Sequence, residues 1–330
     1  MKKVLYITVT TLVLFLILEI ILRLLGYSPV TFNQKITTSP ELCYTTDSLG
    51  VSLKAGTYSM NINDCVTFNI THTKDKTRIT SKKEITATDE IFIFGCSFAY
   101  GTGVNDQQTY PYLLQSLLPN YKVNNYSVPG SGTIQSYLYL KKKLEEGKRP
   151  KIVVLSYATF HEERNLLTRD FEAKLAAGIT FQEGFKLSTF QYPQCSIVDH
   201  KVHVEYVDVV KNFYKIPFVN YSAIATFADQ TWNNISHKKT RGFLVSELLF
   251  KDINTLAKKY NFKLIIADVS YNEKSKEIEE ICFKNNLEYI NISPDASKGN
   301  YSLAPCDFHP NAAAHNVFAN KLYNYIKITQ

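Results

Sequence analysis

The sequence lacks low-complexity segments and internal repeats, and its six cysteines form neither a Cys-x-x-Cys pair nor a Cys/His ligand spacing. The first absence argues against wholesale disorder and repeat architectures, and the second argues against a zinc site. Short lysine clusters, such as residues 141–143, have acidic residues close by and are typical of solvated faces. We therefore expect no metal, no cofactor and no nucleic-acid partner.

One long hydrophobic run is present, at the N-terminus. Residues 4–25 are apolar except for threonines and the pair Glu19 and Arg23. As a helix this run would be ~33 Å long, enough to cross a bilayer core of ~30 Å. Residues 1–26 are predicted to be an uncleaved signal-anchor, because no small-x-small cleavage site follows; a cleaved signal or a buried helix are the alternatives. Lys2 and Lys3 keep the N-terminus cytoplasmic, so the body is extracytoplasmic, either periplasmic or at the cell surface.

An extracytoplasmic location permits disulfides among the six cysteines, which are Cys43, Cys65, Cys96, Cys195, Cys282 and Cys306. The sequence does not determine the pairing. Cys96 adjoins Ser97 and Cys306 adjoins Asp307, so a Cys96–Cys306 bridge would follow if these two segments meet. The alternative is that they are small buried thiols.

The rest of the sequence falls into two regions that differ in composition and hydrophobic pattern. Residues 27–89 are rich in Thr, Ser, Asn and Lys with short β-like runs, which predicts a stalk and a hairpin close to the membrane. From residue 90 to residue 330, short apolar runs alternate with helical patterns. That alternation predicts an α/β domain with a parallel sheet covered on both faces.

Ser97 is the third residue after the first apolar run of this domain, in "IFIFGCSFAYGTG". In a parallel sheet, ligands bind beyond the carboxyl ends of the strands. Near the C-terminus, "CDFHPN" places Asp307 and His309 in a loop before the final helix. A hydroxyl nucleophile needs a base, and that imidazole needs a carboxylate. We therefore expect Ser97, His309 and Asp307 to be a catalytic triad.

These segments resemble the blocks of the SGNH, or GDSL, hydrolases from about residue 90 to the C-terminus. Gly95, Cys96 and Ser97 resemble the family's Gly-Asp-Ser block, "NNYSVPGSGT" is similar to its second block, and "DFHPN" to its last. The resemblance implies a three-layer α/β/α flavodoxin-like fold, and ester hydrolysis or acyl transfer. It also implies an oxyanion hole made by the backbone amides of Ser97 and Gly130.

Three departures from the family's pattern affect the site. Cys96 stands where the family usually has Asp, and Asp307 is two residues before His309 where three is the commoner spacing. The third block is replaced by "SYATFHEERN", so that Phe160 occupies the position of the asparagine donor. An oxyanion donor is worth ~2.7 to 4 kcal/mol, so we expect a replacement. His161 is the preferred candidate and Asn165 the alternative; His161 could instead be satisfied within its helix turn.

Residues 166–240 interrupt the alternation and are predicted to be a cap near the mouth of the site. Its aromatic residues could stack on sugars or line an acyl groove, but they could equally form a small core. His200 and His203 are two apart on a predicted strand, with no third ligand evident. His315, on the final helix, is interpreted as a surface or packing residue.

The sequence therefore predicts a membrane-anchored serine esterase that removes ester groups, first of all O-acetyl groups on extracytoplasmic glycan, and secondly lipid esters. An O-acyltransferase with the same triad is one alternative. A catalytically inactive glycan-binding module is another, favoured by the altered first block and the missing asparagine. The oligomeric state is left open.

Overall fold

The computed structural model describes residues 1–29, 34–47, 49–177, 184–185, 191–236 and 242–329. Helix α1 (Lys2–Leu24) has a mean hydropathy of 2.5 and is exposed along almost its whole length. Among the described residues it is the one helix long and apolar enough to cross a membrane, a test that a signal sequence also passes. The length and hydropathy of α1 therefore agree with the predicted membrane-spanning helix.

Residues 36–72 form two small antiparallel sheets ahead of the main domain. Strands β1 (Ile36–Ser39), β4 (Gly56–Ile62) and β5 (Val66–His72) pair in the order β1-β4-β5, and β2 (Tyr44–Asp47) pairs with β3 (Gly50–Leu53). Alternate residues of β4 and β5 are buried, the pattern of a sheet with one face on a core. We call the three-stranded sheet β1-β4-β5 the N-terminal sheet. It packs on side chains of the main domain.

Arg78 joins the N-terminal sheet to the main domain. Its guanidinium is fully buried, and it donates to the Asp106 carboxylate at 2.8 Å and to the carbonyls of Gly101 and Val104 at 2.6 and 2.7 Å. Its backbone amide donates to Asn125 at 3.1 Å. A buried charge needs such a full set of partners, so Arg78 holds these segments in one arrangement.

A five-stranded parallel sheet forms the centre of the main domain. In sheet order its strands are β12 (Glu288–Asn291), β11 (Lys263–Asp268), β8 (Ile152–Tyr157), β6 (Glu90–Phe94) and β7 (Lys122–Asn125). Every residue of β8 is buried, as expected for a strand covered on both faces. The sequence prediction of a parallel α/β sheet is confirmed.

Helices cover both faces of this sheet. Ile91 and Ile93 of β6 face a core formed with α3 (Tyr110–Leu117) and α11 (Ala312–Ile328). Phe92 and Phe94 face the opposite core, whose helices are α4 (Thr133–Glu145), α9 (Leu244–Tyr260) and α10 (Ser275–Lys284). Because successive strand residues point to opposite faces, a continuous apolar run serves both cores. The predicted three-layer α/β/α architecture is confirmed.

Several shorter elements complete the described part of the chain. They are α2 (Ser97–Tyr100), α5 (His161–Asn165), α6 (Arg169–Ala176), the hairpin of β9 (Tyr192–Val198) and β10 (Lys201–Val207), α7 (Val209–Asn212) and α8 (Ala223–Ser236). The region predicted as a cap thus contains helices and a hairpin. Parts of that region, residues 178–183, 186–190 and 237–241, lie outside the described residues.

Candidate active site

Ser97 is the first residue of α2, immediately beyond the end of β6. A Cβ at Gly95 would lie 2.9 Å from the Cβ atoms of Ala99 and Ser156, so only glycine fits between the strand and the helix. Cys96 keeps an extended backbone, and the chain then turns sharply into the helix. This tight turn leaves Ser97 only 6% exposed, at the carboxyl end of the strand.

Asp307 and His309 are already hydrogen-bonded to each other. The Asp307 carboxylate accepts a short hydrogen bond from His309 Nδ1, and it accepts a second from the His309 backbone amide at 2.7 Å. Gln34 Nε2 donates to the other carboxylate oxygen at 2.8 Å. Burial raises the pKa of Asp307, but the hydrogen bonds from His309 and Gln34 outweigh that effect and keep the pKa below its usual value. Asp307 is therefore suited to orient His309 as an ionised carboxylate.

One cavity of about 310 Å³ brings the predicted residues together. Ser97, Gly130 and His309 all contribute to its wall, although they are far apart in sequence. The remaining lining residues are Gln34, Ile36, Tyr44, Met60, Thr102, Pro129, Phe160, Glu163, Arg164, Phe171 and Lys174. The ring of His309 packs against Phe98, with the ring centroids 5.6 Å apart.

The backbone around the cavity leaves two donors unused. Within the described part of the chain, neither the Ser97 amide nor the Gly130 amide donates to an acceptor. Gly130 has φ +78°, a backbone conformation that favours glycine, and its carbonyl accepts from the Tyr192 hydroxyl at 3.0 Å. Two unused amides on the wall of one cavity can bind an oxyanion.

The Ser97 hydroxyl makes no hydrogen bond to any described residue, including His309. Catalytic hydrogen bonds are commonly long without substrate and shorten only when it binds. The ring of His309 is held by Asp307 on one side and by Phe98 on another. The structure thus provides an oriented imidazole and a free hydroxyl on one cavity wall.

His161 is not brought to this cavity. It is fully buried, its Nδ1 lies 3.5 Å from the Thr133 hydroxyl, and its ring packs against Tyr157 and Phe160. Burial also lowers its pKa well below the usual value, with a contribution from the Arg164 charge. The alternative, Asn165, is buried as well and accepts from the Ile134 amide at 3.0 Å. Neither side chain therefore supplies the expected third oxyanion donor, and Phe160 lines the cavity instead.

The disulfide also differs from the one considered in the sequence. Cys306 pairs with Cys65, with the Cα atoms 5.8 Å apart, and Cys96 is a free buried thiol. Cys65 lies in the turn between β4 and β5, so the N-terminal sheet is covalently tied to the loop that carries Asp307.

Three polar residues of the cavity have no signal in the sequence. Gln34 precedes β1 and reaches Asp307 only because the N-terminal sheet packs on the domain. Arg164 donates to the Ser131 carbonyl at 2.8 Å and lies over the Phe160 ring, and Lys174 reaches the same cavity from α6. Sequence spacing carries no information about such contacts.

His200, His203 and His315 lie outside the cavity. His203 is exposed on β10, with Nε2 3.6 Å from the Glu205 carboxylate. His200 occupies the β9–β10 turn with φ +60°. His315 is fully buried and accepts from the Tyr110 amide at 3.2 Å, which makes it a packing residue.

No protein-family model matches the sequence. No curated protein matches it either. Among solved structures, the chain is similar to a lipolytic protein of the G-D-S-L family from Veillonella parvula, with 11% identity, a TM-score of 0.38 and coverage of 73% of this chain and 99% of that one. It is also similar to an acetylxylan esterase from Geobacillus stearothermophilus, with 13% identity, a TM-score of 0.39 and coverage of 74% and 96%. A psychrotrophic esterase from Pseudoalteromonas gives 13% identity, a TM-score of 0.39 and coverage of 73% and 98%.

Proposed function

We propose that the protein is a serine esterase of the SGNH type that works through an acyl-enzyme. The observation that carries this proposal is that Ser97, the Asp307-oriented His309 and two unused backbone amides line one cavity. Such an arrangement supplies a nucleophile, a base and an oxyanion site. Each of these roles is assigned to a residue that the sequence pattern singled out.

In the proposed reaction, Ser97 Oγ attacks the ester carbonyl while His309 Nε2 accepts its proton. Asp307 holds the ring and stabilises the imidazolium. The amides of Ser97 and Gly130 bind the oxyanion of the tetrahedral intermediate. When it collapses, the C–O bond of the ester breaks and the alcohol leaves with the proton from His309. Water then attacks the acyl-enzyme by the same route and releases the acid.

The preferred substrate class is O-acetylated glycan outside the cytoplasm. The cavity of about 310 Å³ is at the lower end of the usual range for ligand sites, ~300 to 1,000 Å³, and suits a short acyl group with a sugar ring better than a long-chain lipid. Its wall carries polar and charged side chains, among them Glu163, Arg164 and Lys174. Those groups can bind sugar hydroxyls. With α1 as an uncleaved anchor and Lys2 and Lys3 in the cytoplasm, the cavity would face the periplasm or the cell surface.

A glycan-binding module without activity is the second candidate. Phe160 favours it, because no side-chain donor occupies the position where the oxyanion would need one. An acyltransferase would use the same groups and differ only in the acceptor.

The test is hydrolysis of p-nitrophenyl acetate by the purified full chain in detergent, compared with Ser97→Ala and with Ser136→Ala. Ser136 is a buried serine on α4 whose hydroxyl donates to the Gly132 carbonyl, which makes it a matched control. Loss of a triad member typically removes ~10⁴-fold or more of the rate. Ser97→Ala should lose this activity and Ser136→Ala should keep it. Equal activity in Ser97→Ala and the native protein would refute the nucleophile, and faster turnover with an added acceptor sugar would indicate transfer.

A further inference from the structure

The end of helix α1 is attached to the start of helix α8. The Glu19 carboxylate accepts from the Ser222 hydroxyl and the Ala223 amide, both at 2.8 Å, and from the Ile224 amide at 3.1 Å. Arg23 pairs with Glu19 at 2.8 Å. The first amides of a helix have no partner within that helix and favour negative charge. Glu19 therefore caps α8 although it lies about 200 residues away in sequence.

This contact fixes the depth of α8 relative to α1. At ~1.5 Å per residue, the 20 steps from Val4 to Leu24 cover ~30 Å, the thickness of a bilayer core. Glu19 lies five residues before Leu24, so it is ~8 Å back from the end of the helix, toward the bilayer. If residues 4–24 span the membrane core, the first turn of α8 therefore lies no higher than the membrane interface.

Around this point the surface is apolar and aromatic. We define the aromatic platform as the exposed large side chains between residues 214 and 235: Tyr214, Phe218, Tyr221, Phe227, Trp232 and Ile235. Phe227 also packs on Tyr27, just after α1, with the ring centroids 5.1 Å apart. One member of the platform is therefore in contact with the segment that directly follows α1.

The orientation of α8 is set from its buried side. Ala223, Thr226 and Asp229 are buried and recur at helical spacing, and Asp229 pairs with Arg169 of α6 at 2.6 Å. Phe227 and Ile235 are exposed on the rest of the helix, and the Trp232 ring, which is 47% exposed, lies over the Arg169 guanidinium at 4.4 Å. An amphipathic helix held in this way presents its apolar face outward, as interfacial helices do.

The charges of this region suit a lipid surface. Between residues 209 and 236, Asp229 is the only acidic residue, and it is buried in its ion pair with Arg169. The two basic residues are Lys211 and Lys215. Tyr and Trp are enriched at membrane interfaces, and basic side chains favour anionic headgroups.

We propose that the aromatic platform lies in the interface of the same bilayer that α1 spans, so that two elements seat the domain on the membrane. This inference rests on the proposed anchoring by α1 and is independent of the esterase reaction. Because Arg169 belongs to the same helix as Phe171 and Lys174, which line the catalytic cavity, the platform also fixes that cavity at one height above the membrane.

Trp232 is the only tryptophan in the chain, so its fluorescence reports on the platform directly. The full chain is reconstituted into phosphatidylcholine vesicles whose acyl chains are brominated near the headgroup. We expect at least a twofold loss of Trp232 emission relative to unbrominated vesicles, a shift of the emission to shorter wavelength, and protection from aqueous iodide.

The matched control is the double variant Trp232→Phe with Phe283→Trp. Phe283 lies on α10 and is 86% exposed, so its tryptophan should be quenched by iodide and not by bromolipid. Iodide quenching of Trp232 without bromolipid quenching would overturn the proposal, and so would protection from both, because the Trp232 ring would then contact protein and not lipid. Extraction of the same vesicles with alkaline carbonate separates the premise from the inference. If the protein leaves the vesicles, the anchoring itself is wrong; if it stays and Trp232 is unquenched, only the platform is wrong.

Discussion

A disulfide joins Cys65, in the β4–β5 turn, to Cys306, the residue before Asp307. Asn63 of the same turn donates to the Cys306 carbonyl at 2.9 Å. The N-terminal sheet that carries this turn also provides Ile36 and Met60 to the cavity wall, and Gln34 immediately precedes it. The segment between α1 and the α/β domain thus contributes to the candidate active site.

Removal of this disulfide should weaken both the fold and the site. Because the bridge closes a loop of 241 residues, we expect Cys65→Ser with Cys306→Ser to lower the free energy of unfolding by about 2 to 4 kcal/mol. We also expect a lower kcat/KM, since the Asp307 loop loses its attachment. Denaturant titration and ester hydrolysis measure the two effects.

A reductant provides the control for this prediction. Dithiothreitol should lower the activity of the native protein and leave the activity of the double serine variant unchanged. If the native protein keeps full activity after verified reduction of the bridge, the disulfide does not support the site.

Gln34→Ala should reduce activity through Asp307. A hydrogen bond to a charged group contributes about 1.5 to 3 kcal/mol, so full expression of its loss at the transition state would lower kcat/KM by about 10- to 100-fold. Without this donor the pKa of Asp307 should rise toward its usual value, which NMR titration of the Asp307 carboxyl carbon measures. Gln194→Ala, which removes an amide that donates to the Leu166 carbonyl, is the matched control. An unchanged pKa of Asp307 together with unchanged kcat/KM in Gln34→Ala would contradict this role.

Gly95→Ala should displace Ser97. The added Cβ would meet Ala99 and Ser156 at 2.9 Å, and overpacking of a core typically costs about 1 to 3 kcal/mol. We expect at least a tenfold loss of kcat, because the shift falls on the strand end that positions the nucleophile. Gly147→Ala is the comparison, since a Cβ there meets nothing within 4 Å although φ is +89°. That variant should lose some stability and keep its activity.

Three buried histidines, His72, His161 and His315, should make the protein sensitive to mild acid, and burial holds the pKa of His161 well below its usual value. Burial lowers the pKa of His72 to about 4 and that of His315 to about 3. In the unfolded chain the value is ~6.5, so between pH ~6.5 and ~4 the unfolded state binds protons that the folded state does not. The free energy of unfolding is therefore highest, with respect to these histidines, above pH ~6.5. It decreases by about 1.4 kcal/mol per pH unit for each histidine as the pH falls toward the folded-state pKa.

Denaturant titrations at several pH values test this slope. Between pH 7 and pH 5, His72 and His315 together should reduce the free energy of unfolding by roughly 4 kcal/mol, and His161 should add to this fall. In His315→Gln the free energy of unfolding should depend on pH less steeply, by about 1.4 kcal/mol per pH unit, whatever the absolute stability of the variant. His203→Gln, at an exposed position on β10, should keep the native slope. Equal slopes in His315→Gln and the native protein would contradict the prediction.

The central sheet could be predicted because the apolar pattern of the sequence indicates which strands are buried. A run such as Ile91 to Phe94 is apolar at every position, which indicates a strand with a core on each face. The same reasoning placed Ser97 and the Asp307–His309 loop at one end of the sheet, and both lie there. Their catalytic roles remain predictions.

The position of His161 could not be predicted, because it depends on which side chain of an adjacent pair faces the cavity. Phe160 and His161 are neighbours at the start of α5, and packing turns Phe160 to the cavity and His161 to the interior. The disulfide partner of Cys306 could not be predicted either, since Cys65 is 241 residues away in the sequence. Both outcomes depend on tertiary packing, which local sequence patterns do not encode.

The most direct test of the account is reaction of the full chain with a fluorophosphonate, followed by peptide mapping. An activated serine should form one adduct, on Ser97, and labelling should slow strongly in His309→Ala and proceed normally in Ser136→Ala. An unlabelled Ser97 in the folded native protein, or equally fast labelling in His309→Ala, would contradict the claim that His309 activates Ser97.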